Sequence, residues 1–212
     1  MAKFGVDPHT GNWDKNIAQS QFKTSVENII AKYKEASPEF VKGGHEWYDK
    51  ANEEASTLGR GDVVKGAGII AALSPQKGWA PNLRMAHELS RTGTTTGQTD
   101  VQLNKAQRIL AGEHPTDVLN GPKETNFFHN ISDPSNPHHV TVDRHAHDIA
   151  VGKPFIGMGK KAKRSGEDLG LGAMGRYKHF VHAYQHAAGE LEVSLPHQVQ
   201  ATTWVTHRGA VG

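Results

Sequence analysis

The sequence predicts an all-α fold. Apolar residues recur at helical intervals along most of the chain, and no alternating stretch is long enough to insist on a strand. Proline stands at helix-opening positions, as in Ser37-Pro38 and Gly121-Pro122, where its missing N–H costs nothing. At 212 residues the chain fits one domain or two small helical lobes sharing a groove.

The elements follow in order. Residues 1–20 are polar, carry Gly and Pro and lack periodicity, so they read as a flexible arm, with residues 21–212 as the helical domain. Val26, Ile29, Ile30 and Tyr33 fall at i, i+3, i+4, i+7 on one helical face. Ser37-Pro38 opens a helix whose apolar residues Phe40, Trp47, Tyr48, Ala51 and Ala55 run to a stop at Leu58-Gly59. Val63 to Leu73 (VVKGAGIIAAL) is apolar and rich in Gly and Ala, which suits a closely packed central helix. Pro81 is expected to open the helix carrying Leu83, Met85, Ala86 and Leu89.

RTGTTTGQTD at 91–100 and SDPSNPHH at 132–139 are loops by composition. Helices are expected near 101–112, 122–131, 143–151, 176–192 and 196–208. The Gly-rich, basic stretch 157–175 is expected to be a mobile loop.

Composition narrows the chemistry. With no cysteine there is no disulfide, no thiolate nucleophile and no Cys-ligated zinc or iron–sulfur cluster, so no cofactor is expected. The N-terminus lacks an apolar signal-like region and no apolar run approaches membrane length, so the expected setting is cytoplasmic, with no membrane partner. The net charge of +2 is modest for a nucleic-acid binder, but its distribution is uneven. Basic residues dominate 153–178 and acids dominate 44–62, an asymmetry that could orient a polyanion.

Four short blocks stand in a telling order: LSPQ at 73–76, NKAQRI at 104–109, GPK at 121–123 and VDRH at 142–145. Together they resemble the helix-hairpin-helix DNA glycosylase superfamily, its endonuclease III-like group in particular, without the iron–sulfur cluster. The resemblance covers roughly residues 60–209. It implies two helical lobes around a central cleft, a hairpin near 104–131, double-stranded DNA as partner and a monomeric enzyme that flips and excises a base.

The same resemblance assigns roles to residues. An ungapped match puts Gly121 on the second hairpin glycine and Lys123 on the catalytic lysine, with Leu119 where the first glycine should be; a gapped registration puts Glu124, not Lys123, at the lysine position. If Lys123 is the nucleophile, its neutral amine attacks C1′ of the deoxyribose and expels the base. The resulting Schiff base can then eliminate the 3′ phosphate. Asp143 takes the place of the superfamily's essential aspartate, stabilising the oxocarbenium-like sugar or activating the attacking group. It also sits where a helix N-cap belongs, and the two roles are compatible.

Gln76 is the residue expected to fill the gap left by the flipped nucleotide, with Asn82 following at the family spacing. Trp79 is either a stacking residue or core. Lys160, Lys161, Lys163 and Arg164, with the hairpin, are expected to hold phosphates. TTWVTHRG at 202–209 resembles the superfamily's closing helix, with Trp204 packed.

The 14 histidines invite a metal reading, since His138, His139, His145 and His147 surround Asp143 and Asp148 in sequence. On a helix, however, Asp143 and His147 share a face while His145 points elsewhere, so no metal is assigned. His179, His182 and His186 fall within about a 60° arc, opposite a stripe of Tyr177, Phe180, Val181, Tyr184, Ala188 and Leu191, and are expected to face solvent. Three other functions remain open: a base-modifying enzyme of the same fold, a metal-dependent nuclease, and a non-catalytic DNA-binding protein.

Overall fold

The computed structural model describes residues 19–155, 171 and 176–210. Among them every regular element is a helix. They are α1 (Gln19–Lys34), α2 (Pro38–His45), α3 (Trp47–Leu58), α4 (Val63–Leu73), α5 (Trp79–Thr92), α6 (Asp100–Leu110), α7 (Pro115–Val118), α8 (Pro122–Ser132), α9 (Arg144–Val151), α10 (Arg176–Glu190) and α11 (Pro196–Arg208). The chain divides into two compact units: residues 1–45 with 140–211, and residues 46–139. Neither the arm expected over residues 1–18 nor the basic loop with Lys160, Lys161, Lys163 and Arg164 lies among the described residues.

The first unit contains α1, α2, α9, α10 and α11. Its core joins Phe22, Val26 and Ile29 of α1 to Ile149 and Ala150 of α9, Phe180 and Tyr184 of α10, and Val199 of α11. Each large apolar side chain buried here contributes about 1.5–3 kcal/mol. Residues 140–142 run in without helical structure, and Tyr177 pins them. Its phenol donates to the Val140 carbonyl (3.1 Å) and accepts from the Val142 N–H (3.0 Å), so the backbone ahead of Asp143 is satisfied without a strand partner.

The helix 176–190 corrects an expectation. It packs against α1, α9 and α11, and part of the face expected to meet solvent is covered: His182 and His186 are half-buried. His179 is buried, its ring edge-on to Phe22 (5.4 Å between centroids) and its Nε2 within 3.5 Å of Ser25 Oγ. His186 also meets Phe22, at 5.9 Å. An imidazole offers an aromatic body as well as a polar tip, and here Phe22 of α1 meets two of the three histidines that helical spacing assigned to solvent.

The second unit is built around α4, which packs on α3, α5, α6, α7 and α8. Residues 66–73 are all buried, as expected for a central helix. Asp62 caps it, its carboxylate accepting from the Lys65 N–H at 3.0 Å. Gly66 is required by close approach: a Cβ there would overlap the Ala55 carbonyl of α3. In the first unit Gly44 plays the same part, because a Cβ would run into Thr202 of α11.

Helix boundaries differ from expectation in four places. The helix begins at Gln19, inside the expected arm. The continuous helix expected from Pro38 to Leu58 is two, broken at Glu46, where the chain passes from one compact unit to the other. Helix α5 opens at Trp79, so Pro81 occupies a first-turn position where an N–H would have no helical acceptor. The short helix Pro115–Val118 was not anticipated; four residues are too few for a period to show.

Candidate functional site

Asp143 is the best-defined candidate. It is the N-cap of α9, with Oδ1 accepting the Ala146 N–H at 2.8 Å. Its other oxygen, Oδ2, accepts from the indole Nε1–H of Trp204 at 3.2 Å. The carboxylate is half-buried and held at both oxygens, yet each oxygen keeps a further lone pair. Trp204 is steadied in turn by the Arg208 guanidinium, 4.7 Å above its ring. Tyr184 lies behind, fully buried and donating to the Ala146 carbonyl at 3.0 Å; burial raises its phenol well above the ordinary value.

Two histidines belong to the same neighbourhood: His145, two residues after Asp143, and His207, whose ring feels the Asp143 charge. The rings of His145 and His207 are 5.5 Å apart. Burial lowers the pKa of His207, and the neighbouring His145 and Lys32 lower it further, outweighing the opposite pull of Asp148 and Asp143. The cluster therefore combines a positioned carboxylate with an imidazole biased towards its neutral form, which can accept a proton. The sequence led us to expect Trp204 to pack in the closing helix and gave it no further role. That it donates to Asp143, 61 residues earlier, had no local signal.

Helical spacing put His147 on the face of Asp143 and His145 elsewhere, but it is His145 that meets His207, while His147 turns to Asp148. His147 is buried, with Nδ1 3.0 Å from Asp148 Oδ1, and Asp148 also accepts the Phe155 N–H at 2.9 Å. His138 and His139 belong to the other compact unit. Among the described residues no group of three His, Cys, Asp or Glu side chains is arranged to hold a metal ion.

The second unit carries the remaining candidates. Gln76 is exposed, at φ +61°, an uncommon conformation for a residue with a side chain. Its turn is tightly held: Lys77 N–H donates to the Ser74 carbonyl (3.1 Å), and Gln98 Nε2 donates to the carbonyls of Leu73 and Pro75, each at 2.9 Å. The LSPQ block thus presents Gln76 outward from a rigid base.

Asn82, expected at the DNA surface, is buried. Its amide donates to the Ile70 carbonyl at 3.0 Å and ties α5 to α4, so it is a structural residue and cannot reach DNA. Trp79 is half-buried against Trp47 (4.9 Å between centroids), which also meets Tyr48 and Phe127. Of its two sequence readings, the packing one describes its ring.

At the head of α8, Gly121 is the N-cap, Pro122 is the first helical residue and Lys123 the second. Lys123 is half-buried and has no carboxylate partner among the described residues. Gly121 has φ −91°, open to any residue, and a Cβ there would make only ordinary contact with Glu124. Glu124, the other candidate for the lysine position, is buried and forms an ion pair with Lys105 at 2.7 Å. Lys105 Nζ also donates to Asn120 Oδ1 (3.1 Å), and Gln102 Nε2 donates to Glu124 Oε1 (3.1 Å). The NKAQRI block, which carried no chemistry in sequence, is thereby explained: its lysine locks α6 to the start of α8. Lys123 belongs to the second unit and Asp143 to the first.

The chain belongs to the DUF7178 family, a family of unknown function, whose model matches residues 12–211. No curated protein and no solved structure matches it.

Proposed function

We propose that this member of the DUF7178 family is an enzyme that acts on DNA, extruding a nucleotide from the duplex and breaking its base–sugar bond. The observation that carries the proposal is the Asp143 carboxylate, fixed at both oxygens by the Ala146 N–H and the Trp204 indole beside His145 and His207. A carboxylate held in advance of the reaction loses little reorganisation energy when positive charge develops nearby. The ordered resemblance of LSPQ, GPK and VDRH supplies the substrate class.

In the proposed step the C1′–N bond breaks and its electron pair leaves with the base. Asp143 offsets the positive charge left on the sugar. A water then bonds to C1′ and gives its proton to His207, of the same unit as Asp143; on the lysine reading, which the resemblance alone supplies, the neutral amine of Lys123 takes the place of that water. Gln76, offered from its clamped turn, fills the vacated stack.

A second reading keeps Asp143 and the flipped nucleotide but leaves the glycosidic bond intact and alters the base. The head of α8 favours it: Leu119 replaces the first hairpin glycine, and Glu124 is engaged by Lys105. Borohydride trapping on duplexes carrying an abasic site or a panel of damaged and modified bases separates the two. Bond cleavage through Lys123 gives a covalent adduct lost in Lys123→Ala. An adduct that survives the substitution rejects the lysine. A changed base mass with the nucleoside intact selects base modification.

A further inference from the structure

A separate feature of the second unit is basic and unassigned. On α5, Arg84, His87 and Arg91 stand at i, i+3 and i+7 and share one face. Together with Arg60, in the turn after α3, they line an open groove of about 710 Å³. That turn is defined by successive positive φ angles, 56° at Arg60 and 95° at Gly61, and Ser90 Oγ ties its base by donating to the Leu58 carbonyl at 3.2 Å.

None of the three arginines has a carboxylate partner among the described residues. The acids nearby are otherwise occupied. Glu88, which lines the groove, accepts the Thr95 hydroxyl at 2.6 Å, and Glu54 lies 3.8 Å from His87. Three exposed arginines thus line the groove with one carboxylate, itself engaged. Guanidinium forks match phosphate oxygens in pairs, and unpaired ones in an open groove suit an anion that remains partly hydrated.

The spacing distinguishes a chain of phosphates from a single one. Arg84 and Arg91 are two helical turns apart, about 10.5 Å along the axis. A DNA strand carries one phosphate per about 3.4 Å of duplex axis, so a strip of this length spans more than one phosphate. Arg91 also stands about 18 Å along α5 from Trp79, and so from the end where Gln76 is presented. We infer that the Arg60–Arg84–Arg91 groove is a second, sequence-independent docking strip for the phosphodiester backbone of DNA. It rests on the assignment of DNA as the substrate.

The test is fluorescence anisotropy of the full chain with a labelled, undamaged duplex at several salt concentrations. The combined variant Arg60→Gln, Arg84→Gln, Arg91→Gln is expected to lower the slope of log affinity against log salt by about two to three units, at about 0.9 per lost phosphate contact. Replacement of all three by lysine is expected to retain most of the slope. Wild-type binding whose slope the glutamine variant leaves unchanged overturns the docking strip while the DNA assignment stands. No wild-type duplex binding overturns both. Calorimetry with inorganic tripolyphosphate provides the remaining arm: arginine-dependent binding there, without arginine dependence on the duplex, makes this a small-anion site and rejects the strip. Loss of slope in a protein that releases no base leaves the strip standing and removes the proposed chemistry.

Discussion

The Lys105–Glu124 pair gives the sharpest stability test. Its side chains are only 11% and 10% exposed, with Nζ and Oε2 2.7 Å apart. Two further hydrogen bonds, to Asn120 and from Gln102, complete the network. Glu124→Gln leaves the ammonium opposite a neutral amide in a site with little water. Removing one member of a buried pair costs 3–5 kcal/mol, and the residual tenth of exposure argues for the lower end, about 3 kcal/mol. For a chain of this size, at about 2–4 °C per kcal/mol, that is a fall in Tm of about 6–12 °C. Urea and thermal melts should be run on Glu124→Gln, Lys105→Met and the double variant. The double variant is expected to lose less than the sum of the singles, with a coupling of about 2 kcal/mol or more. A Glu124→Gln cost below about 1 kcal/mol, the range of solvent-screened surface pairs, would refute the view that this pair locks the head of α8.

Other expectations follow from the same geometry. His139 stacks on His129 (4.1 Å between centroids), and burial, with His129 and His138 adding to it, lowers its pKa to about 4. The unfolded chain therefore binds the extra proton between about pH 4 and 6.5, so stability falls as pH drops through that window. After discounting for solvent access, the loss is about 1–2 kcal/mol, and His139→Asn should flatten the curve in urea melts across pH. Gly66→Ala places a methyl against the Ala55 carbonyl and should cost about 1–3 kcal/mol by thermal melt, more if α3 and α4 cannot separate. Trp204→Phe removes the donor to Asp143 Oδ2 while keeping an aromatic ring. It should reduce the rate of base release about tenfold or more in single-turnover assays, and a wild-type rate would show that the indole does not position the carboxylate.

The sequence announced its helices well where periodicity and capping act locally. Val26 to Tyr33, the Gly/Ala-rich α4 and the Asp143 cap were all legible because each depends on neighbours within a turn or two. Tertiary covering was not legible. The histidine stripe of α10 looked solvent-facing because nothing local reveals that α1 lies over part of it. Asn82 looked available for a ligand because its spacing matched a motif, whereas its bond to Ile70 depends on two helices crossing. Lys105 and Glu124 gave no sign of pairing, and neither did the three arginines that share a groove.

The central claim is that Asp143 is a reacting carboxylate as well as a helix cap. Single-turnover base release from the substrate panel by wild type and Asp143→Asn, with thermal melts of both, tests it most directly. Asparagine remains a good N-cap and can accept the Ala146 N–H, so its stability is expected to stay within about 1 kcal/mol of wild type. The expected result is a wild-type rate on at least one substrate and a loss of at least a hundredfold in Asp143→Asn. An undiminished rate in a stable Asp143→Asn protein, or no base release by wild type from any duplex of the panel, would contradict it.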